Sequence, residues 1–366
     1  MIDRIVIENY KSIKKLDIKL NMINILIGSN GAGKSNFISF FKFLSSITKN
    51  RLQNHVQEES GAQYILHHGL KVSQEIVSRV ELTEKDISTY YEFVLAPNTD
   101  QNLFFINEYL GYRDNKRYSK YYDYNVNIAK GLETGLSTYV YEYRWVQPII
   151  IQRLNEYKIY HFHDTGRTAL VKQSFNLFDN EVLYEDARNL ASYLYKLKTI
   201  EPLILDRIEK TIRLIAPYFD CFILNPNPFN KEEIRLGWRE KNSDMLFNAN
   251  HFSDGTLRMI CLITLFLQPN PPKTIILDEP ELGLHPFALE ILSDLIKKVA
   301  AKGIQTIIST QSIPLVDKFN IEDVIVVEKE ENESKLKHLD LKQLENWIDD
   351  YSIGELWEMN LLGGRP

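Results

Sequence analysis

The sequence predicts an α/β protein in which a central strand runs through a glycine-rich loop into a helix. An antiparallel β segment and a set of helices are inserted before a second α/β stretch. Three observations predict this. INILIGSNGAGKSNF (23–37) passes from an apolar run to a small polar loop and then to helical spacing. QEIVSRVEL, YYEFVLAP, NLFFINEYLGY and TYVYEYRW alternate, carry β-branched and aromatic residues, and are broken by PNTD, RDNK and KGLETG. TIILDEP, HPFALEILSDLIKKVAAKG and IQTIIST then read as strand, helix, strand.

Taken in chain order, 3–8 and 14–20 form a hairpin that leads into the strand at 23–27. NFISFFKFLSSI is a helix, and 48–63 is a polar connection. The alternating segments form an antiparallel meander. From 185 to 216 the period becomes that of amphipathic helices, EDARNLASYLYKLK and LILDRIEKTIRLIAPYF, ended by NPNPFN. A short strand pair (EEIRLGWRE, DMLFNAN) precedes a helix at about 254–268. DVIVVEK is expected as the last strand, before the helical LKQLENWIDD.

With 366 residues, 44% hydrophobic and 25% charged, the chain has the composition of an ordinary globular protein with a sizeable core. No apolar run approaches the roughly 20 residues that span a bilayer. MIDRIVIENYKS lacks a signal peptide's apolar core, so a cytoplasmic location without a membrane partner is expected. Cys221 and Cys261 show no metal-ligand spacing and are expected as reduced core residues. The net charge of −6 provides no global pull toward nucleic acid. KSIKK near the start and RDNKRYSKYY (113–122) are local basic clusters. The second is a candidate nucleic-acid contact or, more plainly, a solvated hairpin.

The chemistry starts at Gly28-Ser29-Asn30-Gly31-Ala32-Gly33-Lys34-Ser35-Asn36, the pattern GxxxxGK[ST] behind a strand and before a helix. Glycines let backbone N–H groups turn inward around a phosphate, and the helix adds its positive end. Lys34 would reach the β- and γ-phosphates of a nucleoside triphosphate, and the Ser35 hydroxyl would ligate Mg²⁺. In TIILDEPELGLHP (274–286), an apolar strand ends in Asp278 and Glu279. Asp278 would hold Mg²⁺, directly or through water, and Glu279 would polarise the attacking water as general base. HFSDGTLRMICLITLFL (251–267) places Ser253 as an N-cap and Gly255 in the first turn of an apolar helix. A helix start with Ser and Gly is a second anion site. It is either a plain capped helix or, if two subunits close head to tail over one nucleotide, a second wall of the site.

GSNGAGKSN, FSDGTLR, ILDEPELGLHP and STQS, in this order, resemble the Walker A, signature, Walker B plus D-loop, and switch motifs of ABC-type ATPases. The match is closest to the RecF/SMC-like branch, and within it to standalone bacterial "AAA family" ATPases with an SDGTLR signature, of the kind found in anti-phage defence. YHFHDTG, EDARNLASYLYKL and GELWEMNLLGGRP are similar to the same group. The resemblance covers nearly the whole chain. It implies an ABC-type P-loop NTPase head spanning 1–366, with a Walker A lobe (1–50), a β-meander and helical insertion (51–250) and a signature/Walker B lobe (251–366). It also implies ATP and Mg²⁺ as cofactors and a head-to-tail homodimer or higher oligomer, with Ser253 and Gly255 facing the γ-phosphate held by the partner's Lys34 and Asp254 between them in the nucleotide-binding signature.

Two departures matter. Asp254 stands where transporter signatures have Gly, although this is usual in the suggested subgroup. Gln311 stands where many relatives have the switch His; it can hydrogen-bond a phosphate or water but cannot take a proton near neutral pH, so slow hydrolysis is expected. Tyr10, Lys11 and Ser12 match a position beside the nucleotide in relatives, and also suit an exposed turn. His285 reaches across a dimer interface or starts a helix. Gln152, His161, His163 and Asp164 all remain candidates for the glutamine-loop position, and HFHD lacks the rest of a metal ligand set.

The interval from Lys34 to Ser253 carries no heptads, unlike the long arms of SMC relatives. The residues after Asp278 are too few for the TOPRIM nuclease domain of OLD-type relatives. The expected function is therefore an ATPase sensor or switch for a separately encoded effector, in bacterial anti-phage defence. The alternative is a RecF-like ATP-gated DNA-binding clamp in DNA repair, which leaves nucleic acid open as a partner.

Overall fold

The computed structural model describes all residues except 118–119, 121, 126–130, 138–145, 340–343, 345–346, 348–349 and 365–366, with 122–125 described by backbone alone. TYVYEYRW therefore lies outside the described residues, as do most of LKQLENWIDD and parts of RDNKRYSKYY and GELWEMNLLGGRP.

The elements in chain order are β1 (Ile2–Tyr10), β2 (Ile13–Lys19), β3 (Ile23–Ile27), α1 (Lys34–Thr48), α2 (Leu52–Glu58) and α3 (Ala62–Ile65). Then come β4 (Ile76–Glu84), β5 (Ile87–Pro97), β6 (Leu103–Asp114), β7 (Tyr122–Asn125), α4 (Val146–Leu154) and β8 (Tyr157–Tyr160). Next are β9 (Phe175–Asn176), α5 (Leu190–Ile200), α6 (Pro202–Ile215), β10 (Phe219–Ile223), β11 (Glu233–Ile234), β12 (Gly237–Glu240) and β13 (Leu246–Asn248). The last are α7 (Asp254–Leu267), β14 (Thr274–Asp278), α8 (Pro286–Ala300), β15 (Gln305–Ser309), α9 (Ile313–Val316), β16 (Val324–Glu330), β17 (Glu333–His338) and α10 (Ile353–Glu358).

The chain forms two compact units, one of residues 1–158, 273–276 and 304–366, the other of 159–272 and 277–303. The first unit has an antiparallel sheet ordered β2-β1-β4-β5-β6-β7. Its second sheet is ordered β17-β16-β3-β15-β14-β8, of which β14 contributes Thr274–Ile276 and β8 Tyr157–Lys158 to this unit. β15 and β16 both run parallel to β3, which buries Asn24, Ile25, Leu26 and Ile27. Such strands read as continuous apolar runs because both faces are covered. The fully buried Gln305 links the two sheets: its amide exchanges hydrogen bonds with the Ile2 backbone at 2.9 and 2.7 Å. α1 carries a dense aromatic face, with Phe40 edge-on to Tyr10 of β1 and Phe43 edge-on to Phe93 of β5.

The second unit packs α5 and α6 with α7, whose residues Leu257 to Phe266 are all buried. A helix apolar all round belongs in a core. A small sheet ordered β10-β12-β13 supplies Trp238, which stacks on Phe252 at 4.3 Å and on Phe247 at 4.8 Å.

Several local expectations differ from the structure. The polar stretch 48–63 contains α2, which buries only Leu52 and Val56 and so leaves a weak apolar pattern. α5 starts at Leu190 rather than 185, because the Asn189 amide ties the preceding loop to the Asp179 and Val182 carbonyls. β16 is not the last strand. β17 follows antiparallel to it, and its sequence ESKLKH is too polar for the alternation to show. Of RDNKRYSKYY, Arg113 and Asp114 end β6 and Tyr122 begins β7, which pairs antiparallel with it.

Candidate functional site

In the first unit, β3 delivers the chain to residues 28–33 and α1 begins at Lys34. Gly33 caps the helix in the left-handed region at φ 116°, and Gly31 has φ 77°. These backbone conformations suit glycine. A Cβ at Gly28 would overlap the Val327 carbonyl of β16, and one at Gly33 would overlap the Ser334 hydroxyl of β17. The loop is thus held at both ends by neighbouring strands. A turn closes within it through Ala32 N donating to the Ser29 carbonyl at 3.2 Å. The Lys34 side chain is buried, and its ammonium donates to the Gly28 carbonyl at 2.6 Å and the Ser29 carbonyl at 3.1 Å. Ser35 is exposed on the first turn of α1.

Ser12 lies in this neighbourhood. Its hydroxyl accepts from Asn36 Nδ2 at 2.7 Å and lies 2.6 Å from Ser334 Oγ, which in turn is 2.6 Å from the Ala32 carbonyl. A carbonyl can only accept, so Ser334 donates to Ala32, and the same hydroxyl is the donor toward Ser12, its one proton shared between the two acceptors. The relay Asn36–Ser12–Ser334–Ala32 braces the end of the loop. Ser334 has no counterpart in the sequence analysis; only the pairing of β17, which sets Ser334 N on the Ser12 carbonyl at 2.7 Å, reveals it. The end of β15 brings Gln311 to the same loop, where its Nε2 donates to Asn30 Oδ1 at 2.8 Å.

In the second unit, Asp278 ends β14 and Glu279 follows with φ 41°, a left-handed conformation uncommon for a residue with a side chain. Together with Tyr160, Phe162, His163, Arg258, Leu262, Leu277 and Pro280, they line a small cavity. Arg258 is buried and donates to the Phe162 and His163 carbonyls at 3.0 and 3.1 Å. Burial draws its pKa down, opposed by Asp254, Cys261 and Glu281. Ser253 caps α7 by accepting from Thr256 N at 3.2 Å, and the Trp238–Phe252 stack anchors the residue before it. A Cβ at Gly255 would overlap the Gly283 carbonyl, so the start of α7 sits directly on the turn after Glu279. Asp254, the departure noted above, pairs with the buried Lys172 at 3.2 Å. Ser253 and Asp254 are exposed. His285 caps α8 through Nδ1, which accepts from Phe287 N at 3.3 Å.

Of the glutamine-loop candidates, Gln152 donates to Glu156 at 3.1 Å on α4, His161 N donates to the Glu185 carbonyl at 2.8 Å, and Asp164 accepts from Gly166 N at 3.2 Å. Both cysteines are free, and burial pushes the Cys261 thiol up to about 12. Among the described residues no group of three or more His, Cys, Asp and Glu could hold a metal ion. Ser35 on α1 and Asp278 at the end of β14 each offer an oxygen donor of the kind Mg²⁺ takes. No helix of the described residues is long and apolar enough to cross a membrane.

The fold is that of an SMC-type ATPase head. The chain is similar to an SMC head bound to the C-winged helix domain of ScpA, with a TM-score of 0.62, 15% identity, and coverage of 94% of this chain and 99% of that one. It is also similar to an SMC head with an extended coiled coil bound to the C-terminal domain of ScpA, derived from Pyrococcus furiosus. There the TM-score is 0.55 at 15% identity, with 95% and 98% covered. At this identity the likeness establishes fold alone. No curated protein matches the sequence. Residues 23–126 and 146–317 match the family model described as AAA domain, putative AbiEii toxin, Type IV TA system, and the chain belongs to that family.

Proposed function

We propose that the protein binds ATP with Mg²⁺, hydrolyses it slowly, and uses head-to-tail dimerisation around ATP as a switch for a separately encoded effector in anti-phage defence. The observation that carries the nucleotide reading is the loop itself: a cradle braced by two strands, with the Lys34 ammonium held on its carbonyls and Gln311 on Asn30. An ammonium so held at the start of a helix favours a polyphosphate.

In this reading Lys34 would neutralise the β- and γ-phosphates, and Ser35 and Asp278 are the candidate holders of Mg²⁺, which would withdraw charge from the phosphate oxygens. Glu279 would take the proton of the attacking water, and Gln311 would hydrogen-bond phosphate or water without taking a proton. The exposed Ser253 and Asp254 at the start of a rigidly anchored α7 support a surface that meets a second subunit. The SMC heads above, which are bound to domains of ScpA, offer a precedent for a separate partner chain.

The test uses the wild type, Lys34→Ala and Glu279→Gln, measuring phosphate release, ATP affinity and mass in solution with and without Mg·ATP. Glu279→Gln is expected to lose about a hundredfold or more in hydrolysis, as removal of a general base does, and to accumulate as an ATP-dependent dimer. Lys34→Ala should bind no ATP and stay in the nucleotide-free state. Unchanged hydrolysis in Glu279→Gln would remove its assigned role, and a monomer at saturating ATP would remove the dimer. Glu279→Gln recovered from its native host with duplex DNA and no protein would favour the DNA clamp over the effector switch.

A further inference from the structure

We propose that Glu328, Trp357 and Gly364 form a clasp that positions the phosphate loop for the nucleotide by holding Gly28. The proposal rests on the reading that this loop binds ATP. Gly364 lies against the first residue of the loop: a Cβ built on it would stand 3.4 Å from Gly28 Cα and 3.1 Å from the Val327 carbonyl oxygen. At φ 59° it occupies a conformation that favours glycine. Both polar groups of Gly364 are held. Its N–H donates to Glu328 Oε1 at 2.9 Å, and its carbonyl accepts from Trp357 Nε1 at 2.5 Å. The second Glu328 oxygen pairs with Lys337 at 2.6 Å.

The clasp is anchored in the core. Trp357 is fully buried on α10, whose first turn is capped by Ser352 and tied to Asp317 through Gly354 N at 2.6 Å. A Cβ at Gly354 would overlap Ile313, the first residue of α9, which follows Gln311 by two positions. The loop is therefore held from one side by Gln311 on Asn30 and from the other by Gly364 on Gly28. The functional link is the Gly28 carbonyl, which accepts from the Lys34 ammonium at 2.6 Å. Displacing Gly364 frees Gly28, and the ammonium moves with it. None of the three belongs to the phosphate loop, so all three are positioning residues.

The experiment measures Mg·ATP affinity of the full chain with a fluorescent ATP analogue, alongside the melting temperature. The variants are Gly364→Val, Trp357→Phe and, as a control, Gly303→Ala, another glycine at positive φ (82°) with open space around it. Trp357→Phe removes the Nε1 donor and leaves a ring in the core. A loop competent in one molecule of ten binds tenfold more weakly. We expect about tenfold weaker ATP binding for Gly364→Val and about threefold for Trp357→Phe, with unchanged affinity and a lower melting temperature for Gly303→Ala. Wild-type affinity in Trp357→Phe overturns the clasp, also when Gly364→Val does not fold. Wild-type affinity in both with lowered melting temperatures assigns the three residues to stability alone. A wild-type chain that binds no ATP is a different result and overturns the nucleotide reading itself.

Discussion

Replacing Ser334 by Ala breaks the relay that braces the phosphate loop. Ser334 is 1% exposed, and its hydroxyl lies 2.6 Å from both the Ala32 carbonyl and the Ser12 hydroxyl. The substitution strips the buried Ala32 carbonyl and the Ser12 hydroxyl of the same donor. A buried polar group deprived of its partner costs about 1–3 kcal/mol. About 2 kcal/mol divided by a urea slope of about 2 kcal/mol/M moves the unfolding midpoint down by about 1 M. Ser12→Ala alone removes one link and should cost about 1 kcal/mol. Because the hydroxyls act in series, the double variant should cost less than the two singles together, with a coupling of at least about 0.5 kcal/mol. The assay is urea unfolding of the four proteins, read as midpoint shifts at constant slope, with ATP affinity measured in parallel. Additive losses within about 0.3–0.5 kcal/mol would refute the relay as a unit.

Gln311→His introduces a side chain that can take a proton near neutral pH, and hydrolysis should rise by about a hundredfold or more, the range of general acid–base catalysis. A rate at or below wild type would mean that Gln311 serves only to hold Asn30. Glu108 of β6 is buried, where it accepts from Tyr91, from Thr134 and from Gly135 N, and burial raises its pKa above the ordinary 4.5. A carboxyl with a raised folded-state pKa contributes its stability below 4.5 and loses it as pH rises through the raised value. The wild-type advantage over Glu108→Gln should therefore shrink on going up through that window. A pH-independent difference in unfolding midpoint would count against it.

The phosphate loop was legible because its chemistry is local. Strand, glycines, lysine, serine and helix follow one another within 23–37, and no distant residue is needed to recognise them. The same holds for the cap at Ser253, where the hydroxyl and the Thr256 N–H are three residues apart. Asp278 and Glu279 were legible because an apolar strand ending in acids is a pattern in one dimension. Ser334 was not, since a lone serine in ESKLKH carries no periodicity; its importance comes from the antiparallel pairing of β16 and β17. Asp254 looked like a departure and acquired its reason only from Lys172, which is 82 residues away.

The sequence by itself thus determined the fold class and the candidate phosphate-binding and acidic residues, because runs, loops and caps are set by neighbours along the chain. What supports those residues was decided only in three dimensions. Gly28 must be glycine because the Val327 carbonyl leaves no room, Gly33 because the Ser334 hydroxyl leaves none, and Gly364 meets Gly28 across more than 300 positions of chain. Close packing between segments so far apart depends on where each strand lands in the sheet, and no local pattern in the sequence encodes that contact.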